Sequence, residues 1–226
     1  MYESLEENIA FWKERIGNAS AKWGGAEICG ATKTVDADTI NRAFAAGLRV
    51  IGENRVQELN EKVEFLNPGF EIHLIGGLQT NKVKALPERL CMVQSVDRMN
   101  LAEMLSKRQT ALGKPMKVLI EINVSGEPQR SGVMPEEFDA LFEGVKTLPN
   151  LTVDGLMAIM PVADDPETVR PLFRAMRARF DALRDAGNDL HTLSMGMSHD
   201  CLVAAEEGAT MVRLGRALFG ERPAKH

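Results

Sequence analysis

Lys33 ends the segment Glu27-Ile28-Cys29-Gly30-Ala31-Thr32-Lys33, which reads as a short buried strand delivering an amine to its C-terminal tip. The helix-start pattern Asp36-Ala37-Asp38 follows directly. A primary amine so placed can condense with a carbonyl to give a Schiff base, on a substrate or on a cofactor aldehyde. It can equally be a solvated lysine in a strand–helix loop, and its company decides between the two. That company is polar and glycine-rich: Gly52-Glu53-Asn54, Gly76-Gly77-Leu78-Gln79, Asn123-Val124-Ser125-Gly126-Glu127, Ser194-Met195-Gly196-Met197-Ser198 and Arg213-Leu214-Gly215-Arg216. Each of these strings leaves an apolar run of strand length.

The last two strings carry the most specific local signal. Ser198 reads as opening a helix, with a hydroxyl and a backbone N–H to offer, and Gly215-Arg216 lets backbone amides come close to a ligand. Unpaired N–H groups at a helix start favour an anion. Ser198 also fits the simpler role of an N-cap. A lysine for an aldehyde, combined with a cradle for a phosphate, is the footprint of pyridoxal 5'-phosphate.

The elements that must position these groups follow from periodicity. Strands are expected at Glu27–Thr32, Arg49–Gly52, Glu71–Ile75, Met92–Ser95, Lys117–Val124, Thr152–Met157, Leu190–Ser194 and Thr210–Leu214. Helices are expected at Asp36–Ala46, Val56–Leu66, Asn81–Leu86, Arg98–Leu112, Pro135–Leu148, Pro166–Asp185 and His199–Glu207. Alternating short β and α elements imply a parallel sheet, and about eight strands close naturally into a (β/α)8 barrel whose active face is the C-terminal one. An open doubly wound sheet is the rival arrangement. A further amphipathic helix spans Ser4 to Ser20, with Ser4-x-x-Glu7 as a capping box. Only Gly215 to His226 follow the last strand, too few for a full closing helix, so the N-terminal helix is expected to cover that gap. Ser125–Gly132 and Met160–Pro166 read as the longer loops on the active face. The whole chain, residues 1–226, reads as one domain.

Composition narrows the function further. The 226 residues are 44% hydrophobic and 26% charged, which suits a globular protein, and the net charge of -5 gives no reason to expect nucleic acid. No apolar run approaches the roughly 18 residues of a membrane span. Cys29, Cys91 and Cys201 lie far apart in apolar surroundings and read as reduced core thiols, which implies a cytoplasmic protein. The four histidines lack paired ligand spacing, so no metal is expected.

A set of strings resembles one family over nearly the whole chain and in order. They are Thr32-Lys33-Thr34, Gly52-Glu53-Asn54-Arg55-Val56-Gln57-Glu58, His73 through Lys82, Gly155-Leu156-Met157, Ser194 through Asp200, and Val212 through Gly220. They resemble the pyridoxal-phosphate homeostasis protein family, itself similar to the barrel domain of alanine racemase. The resemblance implies a fold-type III barrel with the cofactor as a Schiff base on Lys33. It implies phosphate contacts from Ser198, Gly215 and Arg216, Arg213 beside the pyridine nitrogen, and Asn54 and Met157 lining the pocket. Two positions depart from the family pattern. Arg216 stands where a small hydroxyl residue is common, and Gly77 replaces a Pro or His, which should loosen its loop.

Three functions compete at this point: a carrier of pyridoxal phosphate, a racemase-like enzyme using it, and a cofactor-free Schiff-base aldolase. An arginine at the ring nitrogen disfavours ring protonation, because adjacent positive charges repel, and so weakens the electron sink. In enzymes resembling alanine racemase the second acid/base is a tyrosine from another domain of the partner subunit, whereas Tyr2 is the only tyrosine here. The carrier is therefore favoured, acting as a monomer in intracellular homeostasis of the cofactor. Amino or keto acids and apo-enzymes needing the cofactor are its expected partners, without nucleic acid or membrane.

Overall fold

The computed structural model describes residues 4–220. It is a closed barrel of eight parallel strands in sequence order, as the alternating pattern requires. The strands are β1 (Glu27–Ala31), β2 (Val50–Glu53), β3 (Glu71–Leu74), β4 (Leu90–Val96), β5 (Met116–Ile122), β6 (Leu151–Ala158), β7 (Thr192–Met197) and β8 (Met211–Leu214). Closure comes from β1 pairing with β8, where Cys29 sits opposite Arg213 and Gly30 opposite Leu214. The first and last strands therefore put their C-terminal tips side by side.

The helices are α1 (Leu5–Ser20), α2 (Ala37–Ala45), α3 (Val56–Lys62), α4 (Met99–Leu112), α5 (Phe138–Lys146), α6 (Arg170–Asp185), α7 (Cys201–Glu206) and α8 (Arg216–Phe219). A 3-10 turn at Thr80–Ala85 occupies the expected third helix position. Ser4 caps α1, its hydroxyl accepting the Glu7 N–H at 3.2 Å. This helix covers the seam left by the short α8: Ile9 and Ile16 are fully buried, Asn8 Nδ2 donates to the Leu218 carbonyl, and Trp12 Nε1 donates to that of Ala217. The segment before α6 is broken into a 3-10 turn at Pro166–Val169 and a separate α-helix. Pro171 explains the break, since it has no N–H to give and fits only the first helical turn.

Cys29 and Cys201 are buried, and burial pushes both thiols up to about 12. Cys91 corrects the sequence reading, for it is exposed. It occupies an outward position near the start of β4, whose interior positions supply the apolar pattern. Among the described residues no helix is long and apolar enough to cross a membrane, and no group of three or more His, Cys, Asp or Glu is placed to hold a metal.

Candidate functional site

The turn after β1 is held from beneath by a buried ammonium. Lys62, at the end of α3, directs Nζ at the Thr32 and Val35 carbonyls, each at 3.0 Å, on either side of Lys33. The same nitrogen pairs with Glu53 Oε1 at 2.6 Å and Glu58 Oε1 at 3.1 Å. The Thr32 hydroxyl donates to Glu53, and the Thr34 N–H donates to Glu58, both at 2.5 Å. Thr34 adopts a left-handed φ of 66°, a conformation that costs a β-branched residue energy and persists only where neighbours enforce it. Burial pushes the Glu53 carboxyl up, opposed by its bonds to Lys62 and Thr32, and Oε2 is buried without a partner. Sequence reasoning missed Lys62. The Glu58-x-x-x-Lys62 helix spacing was the available signal.

Lys33 itself is treated differently. No hydrogen bond or ion pair among the described residues engages its Nζ, and its side chain lines a cavity of about 580 Å³ at the C-terminal end of the barrel. Asn54, Ser198, Arg213, Gly215 and Arg216 line the same cavity. Met157 lies beneath it, fully buried with Met92 and Leu119 inside the barrel, while Ile159, packed on that cluster, reaches the cavity wall. Ile75, His199 and Asp200 are wall residues that the sequence did not single out. Of the two long loops, that after β6 contributes Met160 to Asp164, whereas none of Ser125–Gly132 reaches the cavity. His199 fastens the β6 loop to the β7 loop, its Nε2 lying 3.0 Å from the Ala163 carbonyl. The loop holding Gly77 is pinned on both flanks, by the Ser95 hydroxyl on the Gly76 carbonyl and by Arg98 on that of Leu78. Gly76 has no room for a side chain, because a Cβ would come within 2.3 Å of the Asn54 carbonyl oxygen.

Ser198 does not open a helix. Asp200 folds residues 197–200 into a turn by accepting the Met197 N–H at 2.6 Å, and α7 starts only at Cys201. The Ser198 hydroxyl instead reaches across to α8 and accepts the Ala217 N–H at 3.4 Å. The amide N–H groups of Ser198, His199, Gly215 and Arg216 take no acceptor among the described residues. All four residues line the cavity, and unpaired amides gathered on one wall can cradle an anion.

Arg213 is 4% exposed. Its Nη1 donates to Ser194 Oγ at 2.5 Å and its Nη2 to the Ala158 carbonyl at 2.8 Å. No carboxylate among the described residues comes within ion-pair distance of it. Burial works against its charge, and the more distant Cys29, Glu121 and Asp200 work for it. An arginine nonetheless remains protonated in proteins. A cavity with a free amine, an amide cradle and a guanidinium donor suits an anionic aldehyde carrying a ring acceptor.

Residues 2–223 match the family model described as "Alanine racemase, N-terminal domain". The pyridoxal phosphate homeostasis protein of Aquifex aeolicus is 49% identical over 222 residues, covering 96% of this chain and 97% of that one. The chain belongs to the pyridoxal phosphate homeostasis protein family. Among solved structures, PipY of Synechococcus elongatus without PLP is 32% identical with a TM-score of 0.86, covering 96% of this chain and 100% of PipY. The PipY structure with PLP bound has a TM-score of 0.83 at 30% identity, with the same coverage. Family membership thus agrees with the resemblance carried by the strand-tip strings.

Proposed function

We propose that this chain binds pyridoxal 5'-phosphate at the C-terminal face of the barrel, holds it reversibly, and returns it to the cell's pool without robust catalysis. The observation that carries the proposal is the single cavity in which the unpaired Lys33 amine faces the unpaired amides of the β7 and β8 loops. Lys33 Nζ adds to the aldehyde and water leaves, giving a Schiff base. Ser198, Gly215 and Arg216 receive the phosphate. Arg213 presents an N–H to the ring nitrogen, and Asn54 completes the wall. PipY, seen with PLP bound, supports the reading that the chain binds this cofactor.

Pyridoxal phosphate, when bound, supplies an aldehyde and, where its ring nitrogen is protonated, an electron sink. Arg213 can only donate to that nitrogen, which opposes protonation. Of the titratable wall groups, His199 anchors Ala163 and Asp200 holds the Met197 amide, while Asp164 is an exposed carboxylate on the same wall. Reversible attachment with slow chemistry suits storage and delivery, to small amines or to apo-enzymes. The test measures proton exchange at Cα over common amino acids, with free cofactor as the blank, alongside transfer of cofactor to an apo-enzyme. Transfer with exchange near the blank is expected. Racemisation or transamination well above the blank would remove the carrier reading in favour of a racemase-like enzyme.

The phosphate contacts have their own check. Ser198→Ala is expected to weaken cofactor binding by about 1 kcal/mol or somewhat more, the net worth of one hydrogen bond to a charged acceptor. Pyridoxal should bind much more weakly than its phosphate. Equal affinity for the two forms, by fluorescence titration, would remove the cradle from the account.

A further inference from the structure

A continuous line of hydrogen bonds runs from Arg213 at the cavity down through the barrel to its opposite rim. Arg213 Nη1 donates to Ser194 Oγ at 2.5 Å, and Ser194 Oγ donates to Gln94 Oε1 at 2.7 Å. Gln94 Nε2 lies 2.8 Å from His73 Nδ1, and His73 Nε2 lies 3.1 Å from Glu71 Oε1. Gln94 also touches the Met211 sulfur at 3.3 Å. A side chain on β4 that meets β3, β7 and β8 must lie across the barrel interior. His73, Gln94 and Ser194 are buried, whereas the Glu71 side chain is about half exposed, at 49%.

The two ends leave one hydrogen pattern that satisfies every member. Glu71 is a half-exposed carboxylate 3.1 Å from His73 Nε2, and an ionised carboxylate only accepts. His73 Nε2 must then carry a hydrogen, and in the neutral ring Nδ1 is left as an acceptor. Gln94 must present its NH2 to His73 and its oxygen to Ser194. Ser194 must donate downward, which leaves its lone pairs for Arg213. A guanidinium can only donate, so the upper end demands the same direction. Reversing Gln94 would aim the Ser194 proton at Arg213 and free the guanidinium to pivot on the Ala158 carbonyl. Buried polar chains of this kind are effective at fixing geometry only when fully satisfied.

We infer that His73, Gln94 and Ser194 are positioning residues that fix the Arg213 guanidinium toward the cofactor ring, with the direction of the chain set by Glu71 at the far rim. This rests on the reading that Arg213 faces the ring nitrogen. His73→Leu and Ser194→Ala are therefore expected to shift the long-wavelength absorption band of the loaded protein in the same direction as Arg213→Gln. They should also release the cofactor faster, about tenfold for loss of one charge-assisted hydrogen bond. His73→Asn, whose side-chain oxygen replaces Nδ1 as acceptor, should restore both. A purely structural role would lower the unfolding midpoint and leave band and release rate alone. If Arg213→Gln moves the band and the other variants do not, the relay is wrong and the site reading stands. If Arg213→Gln itself leaves the band in place, the site reading fails. The relay is then judged by nitrogen NMR of the cofactor-free protein, where a bare Nδ1 on His73 is expected and a protonated Nδ1 overturns it.

Discussion

Borohydride reduction of the protein loaded with pyridoxal phosphate is expected to leave one stable pyridoxyl adduct, on the peptide carrying Lys33, and Lys33→Ala should abolish it. The amine must be unprotonated to add to a carbonyl, and three other lysines are engaged by carboxylates. Lys117 is kept protonated by Asp154, whose oxygen lies 2.9 Å away, and its pKa is raised accordingly. Lys62 is buried among carboxylates and carbonyls, and Lys114 pairs with Glu88. Among the described residues only Lys33 combines an unengaged amine with the walls of the cavity. The visible band should vanish in Lys33→Ala, while weaker, non-covalent retention through the phosphate cradle persists. Mass spectrometry of the reduced digest is decisive, and an adduct mainly on Lys82, Lys114 or Lys117 rejects the assignment.

Lys62→Met should be the most damaging single change outside the cavity. Glu53 is fully buried, and removing one partner of a buried ion pair typically costs about 3–5 kcal/mol because the other charge is stranded. The raised pKa of Glu53 places the result at the lower end, since the carboxyl can take up a proton instead of staying charged. Denaturant unfolding of the variant checks the size of the effect. Adding Glu53→Gln to Lys62→Met should recover much of the loss, as the stranded charge is gone. A local readout separates this role from general packing. The Thr32 and Val35 carbonyls lose their donor, so the Thr34 amide should exchange faster with solvent than neighbouring core amides. Equal protection in variant and parent would refute the clamp on the Lys33 turn.

The parts of this molecule that were legible from its sequence are those encoded locally. Apolar runs of strand length followed by 3.6-residue periodicity located all eight strands, and the residues leaving those strands included Lys33, Asn54, Ser198, Arg213, Gly215 and Arg216, which share one cavity. What escaped is what depends on distant partners. Gln94 and Ser194 are a hundred positions apart, and nothing about either residue alone announces the bond. Lys62 went unnoticed because the Glu58-x-x-x-Lys62 spacing signals a pair on one helix face and not that the lysine tip turns inward beneath another loop. The start of α7 was misplaced because Asp200 serves a turn, binding the Met197 amide, and Ser198 bonds forward to α8. Met157 was expected at the pocket wall, but strand alternation alone does not say how deep along the barrel axis an inward residue sits.

The pairing of β1 with β8 has a consequence for the history of each molecule. The amine comes from the first strand, and the guanidinium and half of the anion cradle come from the last, so almost the entire chain separates the two halves of one site. Contacts of such long sequence separation form late and slowly, because the loop between them must be closed first. During synthesis on the ribosome no shortened chain can assemble this pocket, however many of its strands have already paired. A pocket split in this way offers its full set of contacts only after the barrel has been sealed.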